Sequence, residues 1–181
     1  MKIRTGGPAD VPDILALLDS AVAWLAGQGR TGQWGSVSWS SRPAAVERVE
    51  MYTRDYLVRI AEDEQGRTVG CCVLAEDLSS YVPPADVPEL FIRLLVTDRS
   101  RKDEGPSRPK AGGGIGAALI ADARAETVRR GLGLLRVDCY AGDDRKLVQQ
   151  YRALGFTETE PFEVPRPDST PWPGQLLEIR L

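Results

Sequence analysis

Gly112, Gly113, Gly114 and Gly116 fall within five consecutive positions, just ahead of an apolar stretch. Without Cβ atoms, such a run lets backbone N–H groups turn toward a ligand at close range. The stretch that follows predicts a helix to about Arg130, stopped at Gly131. The first turn of a helix offers unpaired donors and the positive end of a dipole. A pyrophosphate cradle is the chemistry these features suit; a flexible linker is the plain alternative. No Lys-Ser or Lys-Thr follows the glycines, which excludes a Walker A loop. A dinucleotide fingerprint is formally present as Gly112-x-Gly114-x-x-Ala117, with Asp138 on a later strand. A long charged segment separates those glycines from the strand before them, so a nicotinamide-dependent dehydrogenase is the weaker reading.

The chain contains no histidine. Ser-His-Asp triads, Cys-His dyads and histidine-bearing zinc sites are thereby excluded. Proton transfer must fall to Asp, Glu, Tyr, Cys, Lys or water. The three cysteines, Cys71, Cys72 and Cys139, lie in apolar runs with no CxxC spacing. Neighbours along a strand point to opposite faces, so Cys71 and Cys72 are poor disulfide partners. Buried thiols in a reducing compartment are expected, and no metal site.

These groups need a scaffold, and the pattern supplies an α/β one. A short strand, Lys2–Thr5, precedes Asp10 as a candidate N-cap. Val11, Ile14, Leu15, Leu18, Val22 and Leu25 then form one helical stripe ended by Gly27 and Gly29. A loop bearing Trp34 and Trp39 leads to a second helix near Pro43–Tyr52. Strands are expected over Asp55–Ala61 and Thr68–Ala75, as a hairpin, and over Glu89–Thr97. After the charged loop and the glycine-led helix come a strand, Leu134–Tyr140, and a helix capped by Asp143 or Asp144. That helix carries Tyr151 and closes at Gly155. Strands around Phe156–Glu160 and Leu176–Leu181 flank a proline-rich excursion. No repeat or linker divides residues 1–181, which read as a single domain.

Composition bounds the partners. The chain has 181 residues, 42% of them hydrophobic and 27% charged, with 23 basic against 26 acidic side chains and a net charge of −3. This is a soluble globular balance, with no positive field to attract nucleic acid. There is no run of about 18 apolar residues, so no membrane is expected. The start, MKIRTGGPAD, has no signal-like apolar region, and a cytoplasmic location is expected.

From Leu94 to Phe156 the chain resembles the GNAT superfamily of acyl-CoA-dependent N-acetyltransferases. The family signature is a strand, then R/Q-x-x-G-x-G/A opening a helix, a strand, and a helix ending in Tyr-x-x-x-Gly-Phe. Here Gly114-Ile115-Gly116 is followed by Tyr151-Arg-Ala-Leu-Gly155-Phe156 in that order. The resemblance implies a mixed, mostly antiparallel sheet flanked by helices, with a V-shaped splay between the two central strands. It implies acetyl-CoA as co-substrate, without metal, and transfer of an acetyl group to a primary amine by direct attack. Ala111, Gly112, Gly113, Gly114, Ile115, Gly116 and Ala117 would hold the pyrophosphate. Leu94, Leu95 and Val96 would pair with the pantetheine arm through their backbone. Ala111 stands where the family has Arg or Gln, so a usual side-chain contact is missing. The preceding loop is also longer than usual; its Arg99, Arg101, Lys102, Arg108 and Lys110 either reach the 3′-phosphate or are simply solvated.

Tyr151 matches the family's acid for the departing thiolate, a role a phenol protonated at neutral pH can fill. It also lies on the apolar stripe of its helix and could be a packed core residue. Glu89, at a strand start, is a candidate base or a solvent-exposed strand-end charge. Asp144 occupies a coenzyme A-contacting position, or is an ordinary N-cap. Trp34 would stack on the acceptor if exposed and anchor its loop if buried. The acceptor expected is a small-molecule or peptide amine, and the state a monomer or homodimer. A non-catalytic acyl-CoA-binding domain is the alternative.

Overall fold

The structure is a computed structural model that describes residues 1–99, 114–167 and 169–181. Its elements are β1 (Lys2–Thr5), α1 (Val11–Ala26), α2 (Pro43–Asp55), β2 (Leu57–Glu62), β3 (Thr68–Ala75), β4 (Glu89–Thr97), α3 (Ile115–Arg129), β5 (Leu134–Tyr140), α4 (Lys146–Ala153), β6 (Thr157–Val164) and β7 (Trp172–Arg180). The strands run β1-β2-β3-β4-β5-β7-β6 in one seven-stranded sheet. β1–β2, β2–β3, β5–β7 and β6–β7 pair antiparallel, whereas β4–β5 is parallel. The mixed, mostly antiparallel α/β fold expected from the sequence is the one observed.

The chain forms two compact units, Met1–Leu74 with Leu94–Asp122, and Ala75–Arg93 with Ala123–Leu181. In the first, the apolar face of α1 (Ile14, Leu18, Val22) packs with Val49 of α2 and with Val58, Ile60, Val73 and Val96 of the strands. Asp10 does not cap α1 with its side chain. Its carboxylate instead accepts the Gly7 N–H at 2.8 Å and the Arg4 guanidinium at 2.7 and 3.2 Å. Gly70 is the close-approach point of this unit. A Cβ there would lie 2.6 Å from Ile115 Cγ2 and 3.0 Å from Leu119 Cδ1, so β3 is bare where the start of α3 presses on it.

In the second unit, β7 lies between β5 and β6, and β6 is an edge strand. Its ladder with β7 shifts register between Glu158 and Pro161. Both C-terminal strands exceed their expected lengths. Pro161 and Pro173 read as breakers in the sequence, yet at a register shift and near a strand start they are tolerated. The β4–β5 ladder pairs Glu89–Ile92 with Leu134–Val137 and ends there, although β4 continues to Thr97 and β5 to Tyr140.

Candidate functional site

In the first unit, Leu94 and Val96 are buried, so their side chains serve packing, and Leu95 is half-buried. Gly114 precedes α3, and its carbonyl accepts the Ala118 N–H at 3.2 Å. A Cβ added at Gly114 would meet no described atom within 4 Å. Ile115, Gly116 and Ala117 form the first turn of α3, whose leading N–H groups have no carbonyl within the helix to bind. Ala111, Gly112 and Gly113 lie outside the described residues, as do Arg101, Lys102, Arg108 and Lys110 of the charged loop. Arg99 is described, and its guanidinium stacks 4.9 Å over the Trp24 ring. Trp34 is half-buried, edge-on to Trp39 at 6.0 Å, and packed against the α1 core. Trp34 thus has a packing role in its loop and keeps part of its surface exposed. Asp19 reinforces the same loop by accepting the N–H groups of Trp39 at 2.6 Å and Ser40 at 3.1 Å.

In the second unit, Tyr151 is 6% exposed on α4, with its ring edge-to-face on Phe156 at 5.5 Å. Gly155 closes the helix with φ +97°, a conformation that favours glycine. Asp144 sits in a turn whose three residues, Asp143, Asp144 and Arg145, all have left-handed backbones. Its Oδ1 accepts the Lys146 N–H at 3.1 Å, so it supports the start of α4 locally. The turn is pinned by Arg145, which donates to Glu158 and, at 3.3 Å, to Gln175 Oε1.

Glu89 corrects the expectation of an exposed strand-end charge. Its side chain is 7% exposed, and Arg136 Nε and Nη2 donate to its two oxygens at 2.5 and 2.6 Å. Arg136 also donates to the Pro83 carbonyl at 2.9 Å. The buried pair ties β4 to β5 and to the loop ahead of β4, which gives Glu89 a structural contact whatever else it does. The sequence hid this because Arg136 is on another strand.

A second carboxylate on the same face of this unit's sheet escaped the sequence reading as a proton acceptor. Asp138 is the first β5 residue beyond the β4 ladder, and the Tyr81 hydroxyl donates to its Oδ2 at 3.2 Å. Burial raises its pKa above the ordinary carboxylate value, opposed by the Tyr81 hydrogen bond and by the charge of Arg93. The cysteines are buried free thiols, and burial pushes Cys71 and Cys139 up to about 12, which leaves them inert as nucleophiles at neutral pH. Among the described residues no cluster of three metal-ligating side chains occurs, and no helix is long and apolar enough to cross a membrane.

No family model matches the sequence. A mouse thymidine phosphorylase is 26% identical over 181 residues, and the match spans 89% of this chain but only 37% of that protein's length. Solved structures give fuller coverage. A ribosomal-protein-alanine N-acetyltransferase from Brucella melitensis superposes with TM-score 0.65 at 21% identity, covering 100% of both chains. A putative acetyltransferase from Salmonella typhimurium, solved with its cofactor acetyl-CoA, gives 0.64 at 16% identity over 99% of this chain and 93% of its own. A GNAT superfamily phosphinothricin acetyltransferase from Sinorhizobium meliloti, in complex with acetyl-CoA, gives 0.65 at 14% over 99% and 88%. With its strand order, its shortened β4–β5 ladder and the helix that opens at Gly114, the chain has the fold of the GNAT acetyltransferases.

Proposed function

We propose that the protein is an acyltransferase that moves the acetyl group of acetyl-CoA to a primary amine by direct attack, with residues 1–181 acting as one transferase domain. The observation that carries this reading is the end of the β4–β5 ladder at Ile92 and Val137 within a GNAT fold. Beyond that point the backbone of Leu94, Leu95 and Val96 would bind the pantetheine amides as an added strand binds a sheet. Residues 111–117 would take the pyrophosphate on backbone N–H groups at the start of α3. A Gly114 backbone that no described atom crowds suits a ligand that must approach the main chain closely. Acetyl-CoA supplies an activated thioester; the chain's task is to hold it, stabilise the developing oxyanion and move two protons.

Tyr151 would give the phenolic proton to the departing thiolate. Asp144, at the start of α4, would face the coenzyme, where a carboxylate is tolerated away from phosphate but repels it nearby. The acceptor is a small-molecule or peptide amine. The test is calorimetric titration with acetyl-CoA, followed by thiol release across a panel of primary amines. Micromolar binding with amine-dependent thiol release is the expected result; absence of acetyl-CoA binding overturns the reading.

A further inference from the structure

One face of the second unit's sheet carries a continuous aromatic row that none of the donor-holding residues uses. Tyr140 lies 5.6 Å from Trp172, Trp172 lies 6.2 Å from Phe162, and Phe162 stacks on Tyr81 at 5.2 Å. Register builds this row. Tyr140 on β5 and Phe162 on β6 both oppose Gly174 on β7, and a Cβ at Gly174 would run into the Phe162 ring. Strand alternation puts Asp138 on the same face as Tyr140. The row ends at the Tyr81 hydroxyl, which donates to Asp138. Tyr81 is 43% exposed and the other three rings are half-buried, so each ring keeps part of its surface uncovered.

We propose that this face is the acceptor site, that it takes an aromatic primary amine, and that Asp138 anchors the ammonium and accepts its proton. The proposal deepens the acyltransferase reading and rests on it. A row of π faces beside a carboxylate complements a cation joined to a flat ring, through cation–π attraction and ring stacking. Among the described residues, the other charged groups on the strands of this face have partners of their own. Arg93 of β4 pairs with Asp77 at 3.2 Å and donates to Ser79 Oγ at 2.7 Å. Arg136 is held by Glu89, Glu178 of β7 by Arg180, and Leu176 is the residue directly opposite Asp138. Asp143 and Arg166 act on the Tyr140 phenol, and the thiol of Cys139 alternates to the other face. Burial moves the Asp138 carboxyl toward the amine's own range, which narrows the gap a proton transfer must cross.

The step balances. The bound ammonium gives one proton to Asp138, which passes it to solvent; the electron pair so freed forms the C–N bond, and the nitrogen's second proton goes to the Asp138 carboxylate. The C–S bond breaks, and the thiolate takes the Tyr151 proton. Solvent then restores both groups. The acid and the base arise on opposite faces of this unit's sheet, since Arg145, at the head of α4, bonds Gln175, whose side chain alternates with those of Gly174 and Leu176.

The probes are 2-phenylethylamine and hexylamine, titrated by NMR with and without coenzyme A. The aromatic amine should bind at least tenfold more tightly. Asp138→Asn and Trp172→Leu should each weaken it about tenfold, and Tyr81→Phe, which removes only a hydroxyl, several-fold. In turnover with 2-phenylethylamine, Asp138→Asn should lower kcat by about 10²–10⁴ and abolish the acidic limb of the kcat/KM profile, with acetyl-CoA affinity unchanged. Equal binding of the two amines, no saturable binding, or undiminished affinity and turnover in Asp138→Asn overturns the proposal. Failure of the wild-type chain to bind acetyl-CoA would instead defeat the transferase reading, and the amine titration reports on this face regardless.

Discussion

Tyr151 is both a core residue and the proposed acid, and one substitution separates the two roles. Tyr151→Phe keeps the edge-to-face contact with Phe156 and removes only the hydroxyl. Stability and acetyl-CoA affinity should hold, while turnover falls by about 10²–10⁴; kcat and kcat/KM should fall together in steady-state assays. Wild-type turnover with chemistry rate-limiting would return Tyr151 to packing alone. Gly114 offers a similarly clean test, because a side chain there meets no described atom within 4 Å. Gly114→Val should therefore fold normally and yet bind acetyl-CoA at least tenfold more weakly by calorimetry, or about 1.4 kcal/mol. Both residues are legible in the sequence through their places in spaced motifs. Glu89 and Asp138 are not: each takes its character from a partner 47 or 57 positions away.

The elements divide by the same logic. β3, β4 and β5 have the bounds their apolar runs predict, because strands buried on both faces leave long hydrophobic signatures. β6 and β7 are longer than predicted, because a proline's cost depends on which side of the ladder its missing N–H faces. The aromatic row was not legible at all; it joins a loop and three strands whose register no local pattern encodes. Gly70, by contrast, left a signal in the form of a lone glycine inside a strand. Gly70→Ala should force Ile115 and Leu119 aside, destabilise the protein by about 1–3 kcal/mol in urea denaturation, and displace the first turn of α3. Acetyl-CoA binding should weaken with it, although Gly70 itself lies on β3 and would touch no coenzyme atom.

For the whole molecule, acid stability should be set by carboxylates moved in opposite directions. The Arg4 guanidinium holds Asp10 below the ordinary carboxylate value, helped by the Gly7 N–H against burial. Its contribution is complete above the unfolded pKa and disappears as pH falls through the lower folded one. Asp138 is raised by burial, so its cost to stability grows as pH climbs from the unfolded value through the folded one. Denaturant titrations between about pH 3 and pH 7 should show a flattened acid limb in Asp10→Asn and higher stability at the neutral end in Asp138→Asn. The edge strand has a further consequence, for life in a crowded solution. β6 presents Glu160 and Glu163 along its length, and Pro161 interrupts its row of donors where the ladder shifts. A second copy approaching edge to edge would meet like charge and a missing N–H, so the strand that completes the aromatic face also protects the protein against fibre-like self-association.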